Sequence, residues 1–366
     1  MENDVVLWIV VATALAFDFT NGFHDTANAV ATSISTRAMA PRVAVTIAAI
    51  LNFVGAFLSL EVAATIAKGI VQADLITLPI VFAGLIGAIF WNLLTWYFGL
   101  PSSSSHALIG GVVGAAFAAE GSKAVLGDGI LEKVAIPAIM APVLAFVVAG
   151  LGILITYRIV GRLRPSTVSR SYRLGQIITG SLFSLSHGTN DAQKTMGIIF
   201  LALVANGNLS ADADIPSWVV VSAASAIALG TYVGGWRIIK TMGSRIIKMD
   251  PAQGFSAQGS GAAVILAASH AGFPLSTTHV VSGGIMGAGA AKRVSAVRWG
   301  VAGNIVFAWV LTLPAAAAVG ALTYLVVSVF GDGAAGPVIV SAALLIALGI
   351  AMARRVGHGQ TLTAEG

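Results

Sequence analysis

The feature that most constrains this chain is a duplication. It shows at the points where long apolar segments turn polar. Asn21-Gly22-Phe23-His24-Asp25 aligns with His187-Gly188-Thr189-Asn190-Asp191 at an offset of 166 residues, with glycine and aspartate matched and histidine and asparagine exchanged. A second pair repeats at an offset of 173: Pro101-Ser102-Ser103-Ser104-Ser105-His106 against Pro274-Leu275-Ser276-Thr277-Thr278-His279. Each member is followed by a Gly-Gly pair and a later glycine, Gly110, Gly111 and Gly114 against Gly283, Gly284 and Gly287. Two motif pairs repeated in order mark a duplicated fold, and paired, interrupted hydrophobic segments point to a binding site between repeats.

The surroundings of the motifs set the solvent. Of the 366 residues, 57% are hydrophobic and 10% charged, and mean hydropathy is +0.90. A soluble globule carries about 25% charge. The expected fold class is an all-α polytopic membrane protein built of two inverted-topology repeats, with broken helices and re-entrant hairpins. The absence of cysteine excludes disulfides and thiolate metal sites. The opening Met1-Glu2-Asn3-Asp4 has no basic stretch of the kind that starts a cleavable signal peptide.

Apolar segments run over 5–33, 43–67, 76–100, 103–119, 134–157, 174–205, 217–236, 258–273, 275–290, 297–326 and 338–353. The first is expected to break near 20–25 and its repeat near 186–191, at the glycines. The segments 103–119 and 275–290 are short for a full span of about 20 residues. The pairs 76–119 and 258–290 are therefore expected to be hairpins with tips at mid-membrane. Glycines one helical turn apart read as close helix packing. The tryptophans lie mostly near segment ends, as an interfacial belt would.

The net charge of +5 is a matter of placement rather than of an anionic macromolecular partner, and no nucleic acid is expected. Arg37 and Arg42, the five arginines of 158–173, Arg237, Lys240, Arg245 and Lys248, Lys292, Arg293 and Arg298, and Arg354 and Arg355 make sixteen of the twenty basic residues. One threading places all of them in the cytoplasm. It puts the N-terminus outside and the C-terminus inside a cytoplasmic membrane, and it runs 5–33 and 174–205 in opposite directions. The expected organisation is a first repeat over 1–157, an Arg-rich cytoplasmic linker over 158–173, a second repeat over 174–326, and a C-terminal helix and tail over 327–366.

Ionisable groups at membrane depth are rare and functional by default. Asp25 and Asp191, with Asn21, His24, Asn28 and Asn190 beside them, are the candidate cation-coupling residues. Carboxylates and amides suit sodium, with Asp25 and Asp191 as its ligands; protons would neutralise the carboxylates instead. Lys194 lies one turn after Asp191 on the same helix face, and Asn28 holds the matching place in the first half. The second site is thus expected to carry its own counter-charge and the first to lack one. Ser103, Ser104 and Ser105, with Ser276, Thr277 and Thr278, open helices just after a proline, where hydroxyls cap and free N–H groups attract anions. Two such helix starts facing one another form a cage for a tetrahedral oxyanion, phosphate or sulfate. Plain N-capping and backbone bonding by His106 and His279 are the simpler alternative.

These motifs, together with Trp309-Val310-Leu311-Thr312-Leu313-Pro314, resemble those of the inorganic phosphate transporter (Pit) family of cation–phosphate symporters, over nearly the whole chain. The resemblance implies a secondary transporter, not an enzyme, that binds inorganic phosphate through 103–105, 276–278 and Lys194. It implies no cofactor beyond a coupling cation, H+ or Na+, and allows a homo-oligomer in the lipid bilayer. The animal members' long soluble loop between the halves is missing, as in a compact bacterial or archaeal member. His24 stands where the family usually has asparagine, Asp191-Ala192-Gln193-Lys194 resembles the bacterial, often proton-coupled branch, and Gln258 replaces an acid that many members carry. The coupling ion therefore stays open. Other readings are a sulfate permease of the same fold, an anion channel, and an intramembrane hydrolase using His24, Asp25, His187 and Asp191; the last lacks closely spaced metal ligands on one helix.

Overall fold

The computed structural model describes residues 2–331 and 333–347. Among these, regular structure is almost entirely helical: α1 (Glu2–Ser35), α2 (Pro41–Gly55), α3 (Glu61–Lys68), α4 (Leu78–Phe98), α5 (Ser104–Glu120), α6 (Gly127–Ile130), α7 (Ile136–Val160), α8 (Pro165–Ala205), α9 (Ser217–Val233), α10 (Trp236–Lys240), α11 (Pro251–His270), α12 (Thr277–Lys292), α13 (Trp299–Ser328) and α14 (Ala335–Ala347). A π-helical turn at Leu131–Ala135 joins α6 to α7 as one run, Gly127–Val160. This run, Asp4–Ser35, Leu78–Phe98 and Trp299–Ser328 are each long and apolar enough to cross a membrane. The pair Ser217–Val233 and Trp236–Arg245, bent by 59°, reaches that length together. Large apolar side chains such as Ile139, Val143, Leu151, Phe307 and Val310 face outward, as lipid requires.

The packing of each half has a counterpart in the other. α1 lies against α9 and α4, and α8 against α2 and α11; α5 packs on α13, and α12 on α7. The glycines mark the matching contacts. Gly22 abuts the α9 backbone at Ile227, and Gly188 abuts the α2 backbone at Asn52. Gly114 presses on Ala317 of α13, and Gly287 on Phe146 of α7. A Cβ at any of the four would collide with main chain, so small residues here set the distance between helices.

The same contacts correct one expectation. α1 and α8 run unbroken through 20–25 and 186–191. Gly22 and Gly188 serve close approach rather than interruption, and side chains from neighbouring helices satisfy the polar groups, so the backbone need not open. The breaks fall elsewhere. Segment 43–67 divides into α2 and α3, and Gln193 Oε1 of α8 accepts the freed N–H groups of Val62 (2.8 Å) and Ala63 (3.2 Å). In the second half the matching break separates α9 from α10 at Gly234-Gly235.

The linker also differs from the loop expected at 158–173. Only 161–164 lie outside helix. Arg158 ends α7, Arg170 and Arg173 belong to α8, and all five arginines are exposed. The last predicted segment, 338–353, is described as far as Ala347; Arg354, Arg355 and the tail lie outside the described residues.

The two hairpins are formed. Gly99, at φ 65°, closes α4, and Gly272, at φ 74°, follows α11; both take the left-handed conformation that glycine adopts without strain. Pro101 and Pro274 follow, and α5 and α12 begin at Ser104 and Thr277. The tips meet inside the molecule, where the His106 and His279 rings stand edge to face at 4.8 Å. Two large hydrophobic clusters and a small third make the core. One large cluster contains Phe17 and the other Ala27 of α1, and Asp18, Asn21, His24 and Asp25 fall between these two residues.

Candidate functional site

The polar layer forms where both hairpin tips press against the middle of α1 and α8. Asp25 is ten residues from the end of α1, about 15 Å at the helical rise of 1.5 Å. All thirteen site residues expected from the sequence are buried, but they divide into distinct tasks.

In the first half, His24 Nδ1 stands 2.6 Å from Asp25 Oδ1, and its Nε2 stands 3.0 Å from Thr95 Oγ1 at the end of α4. Thr95 donates its own proton to Trp91 O (2.8 Å) and accepts one from Ser102 (2.8 Å). Ser104 Oγ lies 3.4 Å from His24 Nδ1. The other hairpin reaches the same carboxylate, with Thr278 Oγ1 donating to Asp25 Oδ1 at 3.4 Å. Asn28 donates to Thr277 (3.2 Å) and Thr278 (2.9 Å). The direct neighbour of Asp25 is thus the His24 ring, whereas Asp191 has Lys194 beside it.

In the second half, Lys194 Nζ donates to Asp191 Oδ1, to Ser105 Oγ and to Leu275 O (2.8 Å). Thr277 donates to Asp191 Oδ2 at 3.2 Å. His187 Nε2 lies 3.0 Å from the same oxygen, and its Nδ1 lies 3.1 Å from Asn52 Oδ1. Asn52 is fixed in turn by donating to Thr231 Oγ1 (2.7 Å). Ligand atoms of Asp25, His187 and Asp191 all lie within 4.8 Å of one another, so the two carboxylates of the duplicated motif share one centre. Two acidic groups this close repel when both are charged, and Lys194 pairs with Asp191 alone.

The hydroxyls sort by position. Ser103 and Ser276 are N-caps, accepting the backbone N–H of His106 (3.1 Å) and His279 (3.3 Å). Ser104, Ser105, Thr277 and Thr278 point into the centre. Asn190 braces the second tip from the side, donating to Ser269 Oγ (2.8 Å) and Phe273 O (3.2 Å). Asn21 projects Oδ1 into the interior without a hydrogen-bond partner. His106 and His279 face one another, and His279 stacks on Trp309 at 4.1 Å.

The donor set bears on sodium. A sodium ion takes oxygen, which the two carboxylates and the nearby hydroxyls supply; the His187 nitrogen in the middle suits a proton better. The residues accommodate either cation. Sequence reasoning left His187 out of the site despite its place in the repeat, and it missed Thr95, Ser102 and Asn52, single polar residues in apolar helices without a motif. It also passed over Asp18, an acid two turns before Asp25 on the same helix.

The model of the Phosphate transporter family matches residues 21–320. A probable low-affinity inorganic phosphate transporter of Mycobacterium bovis is 56% identical over 327 residues, 89% of this chain and 78% of that protein. Its counterpart in Bacillus subtilis is 48% identical over 87% of this chain and 96% of that one. Among solved structures, the sodium-dependent phosphate transporter superposes with a TM-score of 0.77 at 26% identity, over 88% of this chain and 99% of the other. With both hairpins formed on the motifs that this match spans, the chain belongs to the phosphate transporter family.

Proposed function

We propose that this protein is a secondary active transporter that carries inorganic phosphate together with a cation, H+ or Na+, by alternating access. The observation that carries the reading is the convergence of Ser104, Ser105, Thr277 and Thr278, from two opposed hairpin tips, on His24, Asp25, Asp191 and Lys194. An oxyanion placed between the tips takes over the hydroxyl protons that Thr277 and Thr278 now give to the carboxylates and Ser105 gives to Leu275 O. It also competes for the ammonium. Asp191 then needs a replacement positive charge, because an unpaired buried carboxylate is costly. Anion binding thereby calls in a cation, which is the linkage that symport requires.

The two halves, 1–157 and 174–326, would be inverted repeats. The positive-inside threading then makes 76–119 a re-entrant hairpin from outside and 258–290 one from the cytoplasm. Opening one tip or the other would expose the same centre to opposite sides. In the cytoplasmic membrane this places the N-terminus outside and the 161–164 turn inside.

The test is uptake of labelled phosphate into proteoliposomes under a sodium gradient alone and a proton gradient alone, with sulfate as competitor. Accumulation above equilibrium under either gradient is expected, with sulfate competing weakly. Equilibration without accumulation under both would mean a channel, and preferential sulfate uptake a sulfate permease.

A further inference from the structure

Asp18 is fully buried, yet neither carboxylate oxygen makes a hydrogen bond of good geometry. The side chains that reach toward it are Asn21 on the next turn of α1 and Thr195 of α8, with the charges of Asp191 and Lys194 beyond them. Asn21 Oδ1 and Thr195 Oγ1 are themselves buried and without hydrogen-bond partners. Four oxygens of three side chains on two packed helices thus lie together without a single hydrogen bond of good geometry. The nearby ammonium is committed, since Lys194 gives its bonds to Asp191, Ser105 and Leu275. Buried polar atoms in native proteins are nearly always paired, and a bare carboxylate in a dry interior is among the costliest groups to leave alone. Three neighbouring exceptions built only of oxygen describe a cation ligand set.

We propose that Asp18, Asn21 and Thr195 form a second cation station, distinct from the Asp25–His187–Asp191 centre, which holds one small monovalent cation as an alkali ion on the four oxygens or as a proton on the carboxylate. Asp18 precedes Asp25 by two helical turns, about 10 Å, so the two stations lie in line along α1. This deepens the cation-coupled reading above and rests on it for its role in transport: the cation held here would be a second coupling ion.

The experiment needs no phosphate. Wild type and Asp18→Asn are purified in detergent, and melting temperature is followed against sodium at constant ionic strength, then against pH without sodium. A ligand bound only by the folded form raises the melting temperature with its concentration, and the slope reports how many ions bind. Asp18→Asn should melt no lower than wild type at alkaline pH without sodium, because it removes an unpartnered charge. It should also lose one ion's worth of slope. Loss in the sodium series identifies an alkali ion; loss in the pH series identifies a proton. Thr195→Val, which keeps the carboxylate, should move the sodium midpoint to higher concentration if the ion is alkali and leave the pH series nearly unchanged if it is a proton. Equal slopes in wild type and Asp18→Asn would overturn the proposal, and so would an Asp18→Asn protein that fails to fold. If phosphate uptake fails while this slope difference holds, the transport reading falls and the cation station stands.

Discussion

Replacing Asp191 with asparagine tests whether the Lys194 pair is structural or a ligand waiting for phosphate. Both groups are buried, and Lys194 Nζ contacts Asp191, Ser105 Oγ and Leu275 O. Removing one partner of a buried pair costs about 3–5 kcal/mol, because the other charge stays behind uncompensated. Two contacts to Lys194 survive in Asp191→Asn, and hydrogen bonds to a charged group contribute about 1.5–3 kcal/mol each. The expected loss therefore sits near the lower end, about 3 kcal/mol. Lys194→Gln added to Asp191→Asn removes the stranded charge and should recover most of that loss, a coupling of about 2 kcal/mol in a double-mutant cycle. Thermal unfolding in detergent, with phosphate binding measured in parallel, reads both quantities. A double variant no more stable than Asp191→Asn would refute the ion-pair argument. If Lys194→Gln alone abolished binding without destabilising the protein, the lysine's main partner would be phosphate.

Three other perturbations follow from the same geometry. Ser104→Ala with Thr277→Ala removes one inward hydroxyl from each tip and leaves both N-caps; phosphate affinity should fall at least tenfold in a binding titration, with melting temperature nearly unchanged. A cysteine at Ser166, in the exposed first turn of α8, should react with an impermeant reagent only in inside-out vesicles, and labelling of intact cells would reverse the threading. Gly114→Val drives a side chain into the Ala317 backbone and should destabilise the protein by about 1–3 kcal/mol through overpacking, whereas the same change at the exposed Gly300 should be nearly silent.

The fold could be read from the sequence wherever duplication and hydropathy spoke together. The proline–hydroxyl motifs announced both hairpins, down to the capping serines, because N-capping is local chemistry. The glycines at 22 and 188 misled, since a glycine in an apolar helix signals either a break or close packing, and only the partner helix decides which. The site was legible as a set of motifs but not as a geometry. Nothing in the sequence says that Asp25, on α1, and Asp191, on α8, share one centre, or that Asn52 holds His187. Those contacts join residues more than a hundred positions apart. Asp18 was legible as an acid in an apolar run and was missed because no repeat drew attention to it.

The central claim is that anion and cation meet in one site, and thermodynamic linkage tests it most directly. Phosphate affinity should be measured by calorimetry on the purified protein over a range of sodium concentrations and, separately, of pH. A shared site predicts that the coupling cation tightens phosphate binding by at least about tenfold, 1.4 kcal/mol of coupling. In Asp25→Asn this dependence should largely disappear while binding itself persists. Phosphate affinity indifferent to both cations in the wild-type protein would contradict the account.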